Sequence, residues 1–210
     1  MKFKGKSNII KEVQGKLGLT ADGIDGPATW KMIWENLVHD DKGEPEKPEP
    51  PAQELKDDYP EVYKASPNQS GPIKPKYVIL HHSSGSHDGT RSWILNAASK
   101  VSYHYLIAPD GSRTQFVYDK KRAWHAGRSS WKGVSGLNGH SIGISFYGDT
   151  NKRTPSAAEI DSAAKKCKYL MDKFGFGIEN ILTHEMIAPN RKNDTSAATY
   201  QMVIDRINEL

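Results

Sequence analysis

The chain has 210 residues, 36% of them hydrophobic, a net charge of +4 and a single cysteine. That length exceeds a typical domain without accommodating two full-sized ones. No run approaches the ~20 apolar residues of a membrane-spanning helix, and a lone Cys167 excludes an internal disulfide framework, as expected for synthesis in a reducing cytosol.

Residues 1–40 read as a small helical domain. The start, Met1 to Ile10, is basic but no apolar stretch follows, so no Sec-type leader is expected. Ile9, Ile10, Val13 and Leu17 recur at helical spacing, as do Trp30, Ile33, Trp34 and Leu37. Between them, Asp22-Gly-Ile-Asp-Gly-Pro-Ala-Thr29 supplies two glycines for a tight turn and a proline for a first helical turn. A unit this short buries little surface alone.

Residues 41–70 read as a semi-rigid linker. Eight of the twelve prolines fall between Asp40 and Pro75, and 41–70 carries 4 Lys/Arg against 8 Asp/Glu. Such a composition favours extended backbone and cannot build a core. The aromatic residues of Tyr59-Pro-Glu-Val-Tyr63 are suited to docking on the domain that follows.

Residues 71–210 carry 19 Lys/Arg against 12 Asp/Glu. A basic surface suits nucleic acid or another anionic polymer; no nucleic-acid motif accompanies it, so nucleic acid is not an expected partner. Tyr77–Leu80, Tyr103–Ile107 and Ile142–Phe146 read as short buried strands, and Asp110-Gly111 as a hairpin turn. Thr154-Pro155 is expected to open a helix whose apolar face runs from Ile160 to Phe174, with Gly175 ending it. A last helix carries Tyr200, Val203, Ile204 and Ile207. The expected fold class is mixed α/β, a central mixed sheet flanked by helices and preceded by the small helical domain.

Seven of the eight histidines lie within 81–184. His81-His82 end an apolar strand, and because adjacent strand residues face opposite sides, only one readily enters a given site. Thr183-His184 follows Ile181-Leu182 in the same manner, and Asp194 comes ten residues later. Two histidines and a carboxylate leave a fourth zinc position open, as catalytic rather than structural sites do. Spacing alone leaves two alternatives, a metal site or polar residues satisfied beside a core.

The surrounding motifs, in order, are Ile79-Leu-His-His-Ser-Ser84, Ser102-Tyr-His-Tyr105, Trp124-His-Ala-Gly127, Asn138-Gly-His-Ser-Ile-Gly-Ile144 and His184 to Asp194. Over Lys76 to Leu210 this resembles the N-acetylmuramoyl-L-alanine amidase family, which includes phage lysozyme-type enzymes and animal peptidoglycan recognition proteins. The resemblance implies a zinc ion bound by His81, His184 and Asp194, with Tyr103 and Lys192 as catalytic residues. It also implies a substrate cleft with Trp124 and His125, and His82 beside the site as a substrate-binding or structural residue. One departure stands out: Ser145 occupies a position where some members carry a glutamate base. Glu185 reads as a solvated acid or as a base assisting beside a ligand, Cys167 as core, His140 as ordering a loop, and His39, His87 and His104 as bystanders.

The segment Asp22–Thr29 with Val13-Gln14 upstream resembles the peptidoglycan-binding domain of wall hydrolases. Together the two resemblances imply a modular phage endolysin, monomeric, made in the host cytoplasm and acting on the cell wall after release. It would cleave the amide between N-acetylmuramic acid and L-alanine in peptidoglycan. A bacterial autolysin of the same activity and a non-catalytic peptidoglycan-recognition protein are the alternatives.

Overall fold

The structure, a computed structural model, describes residues 57–210 together with Lys11, Gln14, Gly15 and Gly18. Contacts divide the chain into Met1–Pro51 and Ala52–Leu210. Lys11, Gln14 and Gly15 are helical; the other residues read above as a helical domain, and the linker up to residue 56, lie outside the described residues.

The second unit is built on a six-stranded mixed sheet. In chain order its strands are β1 (Glu61–Tyr63), β3 (Tyr77–His82), β4 (Tyr105–Ile107), β5 (Arg113–Gln115), β9 (Ser141–Phe146) and β10 (Ile181–Thr183). Their spatial order is β1-β5-β4-β9-β3-β10, and all neighbours are parallel except β4 and β5, which the Asp110-Gly111 turn joins as an antiparallel hairpin. Two small antiparallel pairs complete the strands: β2 (Gln69–Pro72) with β6 (Lys121–Ala123), and β7 (Ser130–Trp131) with β8 (Val134–Ser135). The helices are α1 (His87–Leu95), α2 (Ala157–Phe174), α3 (His184–Ile187) and α4 (Ala197–Asn208). Among the described residues no helix is long and apolar enough to cross a membrane.

Strand alternation sorts the core into two layers. Val78, Leu80, Ile142, Ile144 and Phe146 meet Ile160, Ala164, Cys167, Leu170, Val203 and Ile207 of α2 and α4 on one face. Ile79 and Leu182 point to the other, where Ala126, Leu137 and Ile187 cover them, with Ile94, Leu106 and Phe116 alongside. Central β9 is buried along its whole length, as a strand paired on both edges and covered on both faces must be. Cys167 is fully buried in the first layer, which pushes its thiol up to about 12 and leaves it a packing residue.

Two expectations need correction. Helix α2 begins after Ser156, not at Thr154: the Ser156 hydroxyl accepts from Glu159 N and the Glu159 carboxylate accepts from Ser156 N, a reciprocal capping box that Thr154-Pro155 cannot make. The Gly175 stop is as expected, in the left-handed conformation with φ 69°. Second, residues 57–70, read as the end of the linker, pack into the folded unit, as the aromatic residues of Tyr59–Tyr63 suggested. β1 pairs with β5, and Arg113, 3% exposed, donates to Glu61 at 2.8 Å and to Asp57. Tyr59 donates to Asp161 at 3.0 Å and lays its ring over Gly111, where a Cβ would stand 2.2 Å from the ring. Buried guanidinium needs such paired carboxylates, and the acidic residues that made 41–70 look solvated supply them.

Candidate active site

The register of β3 against β10 sets the site. Leu80 is opposite Thr183, so the next residues, His81 and His184, stand side by side at the carboxyl ends of two parallel strands, where open α/β sheets gather their functional groups. Both share the face of Ile79 and Leu182. Asp194 returns from the loop after α3, held there by Glu185 N donating to Asp194 O at 2.9 Å and Lys192 N to Ala188 O at 3.1 Å. His81 Nδ1 lies 3.1 Å from His184 Nδ1 and 3.0 Å from Asp194 Oδ2, and His184 Nδ1 lies 3.1 Å from the same oxygen. The three residues are 0%, 3% and 6% exposed.

The outer nitrogens decide what this triangle is. His184 Nε2 is 3.1 Å from Ala126 O, an atom that can only accept, so Nε2 carries the proton and Nδ1 is bare in the neutral ring. His81 Nε2 faces His125 Nδ1 at 2.9 Å. Burial, more than the charge of neighbouring His184, lowers the His81 pKa to about 4 against the opposing pull of Asp194, so its ring is neutral. Burial works against ionising Asp194, yet the nearness of His184 and His81 holds its carboxyl well below the usual carboxylate range. Three lone pairs thus converge on one point. Ligand atoms at ~2.0–2.1 Å around a tetrahedral ion stand ~3.3 Å apart, close to the separations here, and His/His/Asp suits zinc chemistry. The residues fit a metal ion.

His82, the other member of the pair, faces away. Its Nδ1 accepts from Thr150 N at 3.2 Å and its Nε2 lies 3.4 Å from Asp149 Oδ1, so it pins the 149–150 turn. It borders the cleft while both of its nitrogens are engaged within the protein. That cleft, about 660 Å³, is lined by Tyr103, Trp124, His125, His184, Lys192 and Asp194 among others, with Trp93 of α1 57% exposed on its wall. The Tyr103 ring lies 5.1 Å from that of His81. Burial first and the Asp194 charge second raise its pKa, against a hydrogen bond with Ser145, so its hydroxyl keeps its proton. Lys192 is exposed, and no hydrogen bond or ion pair holds its side chain among the described residues. Trp124 donates Nε1–H to Ser70 Oγ at 3.2 Å.

His125 lines the cleft, as the motif implies, and its ring is also engaged within the protein. It is 7% exposed, with Nδ1 on His81 and Nε2 3.3 Å from Ser141 Oγ. Sequence reasoning also passed over Asn138, whose Oδ1 accepts from His125 N at 3.0 Å and Ala126 N at 2.7 Å. Gly143 went unnoticed too, although a Cβ there would meet the His125 ring at 2.7 Å. Both lie in the Asn138–Ile144 motif, so the signal was present without its geometry. Ser145 is fully buried and donates to Phe146 O at 3.0 Å. Glu185 is exposed, and His104 is buried with both nitrogens bonded to backbone.

Similar proteins agree with this architecture. The 1,6-anhydro-N-acetylmuramyl-L-alanine amidase AmpD of Escherichia coli (strain K12) is 38% identical over 99 residues, 47% of this chain and 54% of that protein. The chain spans about half the length of the curated relatives it matches. A crystal structure of a selenomethionine AmpD derivative superposes with a TM-score of 0.58 and 27% identity, covering 68% of this chain and 93% of that one. The N-acetylmuramyl-L-alanine amidase AmiD from E. coli, in complex with anhydro-N-acetylmuramic acid-L-Ala-D-gamma-Glu-L-Lys, gives 0.54 at 25% identity, covering 63% and 59%. Residues 71–197, more than half of the chain, match the N-acetylmuramoyl-L-alanine amidase family, and the chain belongs to that family.

Proposed function

We propose that the protein is a peptidoglycan amidase that hydrolyses the bond between N-acetylmuramic acid and L-alanine, with zinc held by His81, His184 and Asp194. The observation that carries this is the meeting of three bare acceptor atoms, 3.0 to 3.1 Å apart, at the ends of neighbouring strands and on a cleft wall. Zinc in that place supplies Lewis-acid polarisation of the scissile carbonyl and a water of lowered pKa.

The chain's own residues do the rest. Hydrolysis joins a water oxygen to the carbonyl carbon and releases the alanine nitrogen, which requires a proton. Tyr103, beside His81 and kept protonated by burial, donates a hydrogen bond to the oxygen that becomes negative and is a candidate donor of the proton that the leaving nitrogen needs. Lys192, free on the cleft rim, adds positive charge to the same oxygen. Ser145 stands where some members carry a glutamate, with a hydroxyl already engaged on Phe146 O, so no carboxylate base acts from that strand. Trp124 and exposed Trp93 offer flat faces for the sugar and peptide.

We further propose that it acts as an endolysin on the polymeric wall. The resemblance of Asp22–Thr29 to wall-binding domains supports this, since a tethered enzyme gains effective concentration on an insoluble substrate. Purified sacculi and an isolated anhydro-muropeptide, the kind of substrate AmpD is named for, distinguish the two settings. Mass spectrometry of the digest is expected to show intact stem peptides with a free alanine amine, released faster from sacculi. Products cut within the glycan or within the peptide would refute the amidase, and preference for the small muropeptide would refute the endolysin.

A further inference from the structure

We infer that the Trp124–Gly127 turn sets the protonation pattern and ring orientation of both metal-binding histidines, with His125 a positioning residue. This rests on the metal reading above and extends it to a part of the chain whose motif points to substrate.

The proton arrangement can be worked inward from the backbone. Ser141 Oγ lies 2.6 Å from Leu137 O, which can only accept, so the single hydroxyl proton goes there. Ser141 Oγ must then accept from His125 Nε2 at 3.3 Å. A neutral His125 with its proton on Nε2 presents a bare Nδ1, which takes the proton of His81 Nε2 at 2.9 Å. His81 Nδ1 is thereby left bare and aimed at His184 and Asp194. On the other side of the triangle the carbonyl of the next residue, Ala126, takes the Nε2 proton of His184 at 3.1 Å. Two consecutive residues of one turn therefore dictate which nitrogen of each ligand is available.

The turn is anchored as such a part must be. Asn138 Oδ1 holds the amides of His125 and Ala126. Arg191, from the loop that carries Asp194, donates to Ala126 O at 2.8 Å and Arg128 O at 2.7 Å, so the turn and the third ligand's loop are clamped together. Gly143 leaves the space that the His125 ring fills. The outer partner of His81 is thus a neutral imidazole ending on a main-chain carbonyl, in a place where carboxylates are common.

The test is zinc affinity of the full chain by chelator competition, for wild type, His125→Phe, His125→Gln and Ser141→Ala, with each apoprotein's melting temperature measured alongside. Loss of an outer partner weakens metal binding about 10- to 100-fold, so His125→Phe is expected to fall in that range while its apoprotein melts near wild type. His125→Gln, whose side-chain carbonyl accepts from His81 Nε2–H, is expected to recover part of the loss. Ser141→Ala, which leaves the fold's bulk intact, is expected to weaken binding less than His125→Phe. Wild-type protein that binds no zinc overturns the metal reading. Wild type that binds tightly while His125→Phe and Ser141→Ala bind within twofold overturns this inference alone. An equal drop in apo and loaded stability with unchanged affinity does the same.

Discussion

His81 and His184 stand one residue beyond the Leu80–Thr183 pair of two adjacent parallel strands, and their Nδ1 atoms are 3.1 Å apart. Register alone brings together residues separated by 103 positions. Asp194, the third corner of the triangle, depends instead on a loop folded back by its own backbone hydrogen bonds.

Stripping the metal is therefore expected to cost stability as well as activity. A ligand present at a thousand times its dissociation constant stabilises the folded state by about 4 kcal/mol, and each kcal/mol moves the midpoint of a domain this size by ~2–4 °C. Calorimetry with and without chelator is expected to show a fall on the order of 10 °C, restored by zinc. An unchanged midpoint would argue against a metal in this site, and Asp194→Ala should show no chelator effect.

Tyr103→Phe keeps the ring against His81 and removes only the hydroxyl. Loss of a donor to a developing oxyanion typically lowers kcat by about 10²–10³. Steady-state kinetics on a soluble muropeptide should place the loss in kcat with KM little changed. Lys192→Met is expected to act in the same direction and more weakly, since its ammonium is exposed to water. A Tyr103→Phe enzyme of wild-type kcat would remove Tyr103 from the chemistry.

Stability of the apoprotein is expected to fall on acidification, partly through His104. Burial lowers its pKa from 6.5 to about 4, outweighing the Lys121 carbonyl and the Asp119 charge. Between those values the unfolded chain binds the proton and the folded chain does not, so stability rises with pH there and is lost as pH drops. The full extent is about 3 kcal/mol. Urea denaturation at pH 7 and pH 5 should show a smaller loss for His104→Gln than for wild type. Equal losses would mean that His104 is not kept neutral by folding.

Gly143→Ala places a methyl group 2.7 Å from the His125 ring. Overpacking of this kind costs about 1–3 kcal/mol, and here the yielding element is the partner of His81. Reduced zinc affinity together with a lower melting temperature is expected. A variant that matches wild type in both would show that the ring moves aside without consequence.

Much of this was legible in the chain. Tyr77–Leu80 announced a strand by an unbroken apolar run and Ile142–Phe146 by large apolar residues at every second position, and two-residue alternation allowed only one of His81 and His82 into the site; the structure selects His81. What pattern could not give was anything decided by tertiary hydrogen bonds. Thr154-Pro155 and Ser156 are both plausible helix starts, and only the Glu159 side chain reaching back separates them. Asp57 and Glu61 look solvated until Arg113 arrives from 50 or so positions away. His125 belongs to a motif associated with the cleft, yet its ring nitrogens are committed by Ser141 and His81, which no spacing rule connects.

The order β1-β5-β4-β9-β3-β10 has a mechanical corollary. The chain enters this unit at β1, on one margin, where Asp57 and Glu61 grip Arg113; β10, which leads directly into His184, forms the opposite margin. Tension arriving from the proline-rich side would load the Arg113 grip and the β1–β5 pairing first. Four strands stand between that load and β10, so the first rupture under force would fall at the entry margin, with the ligand triangle still assembled.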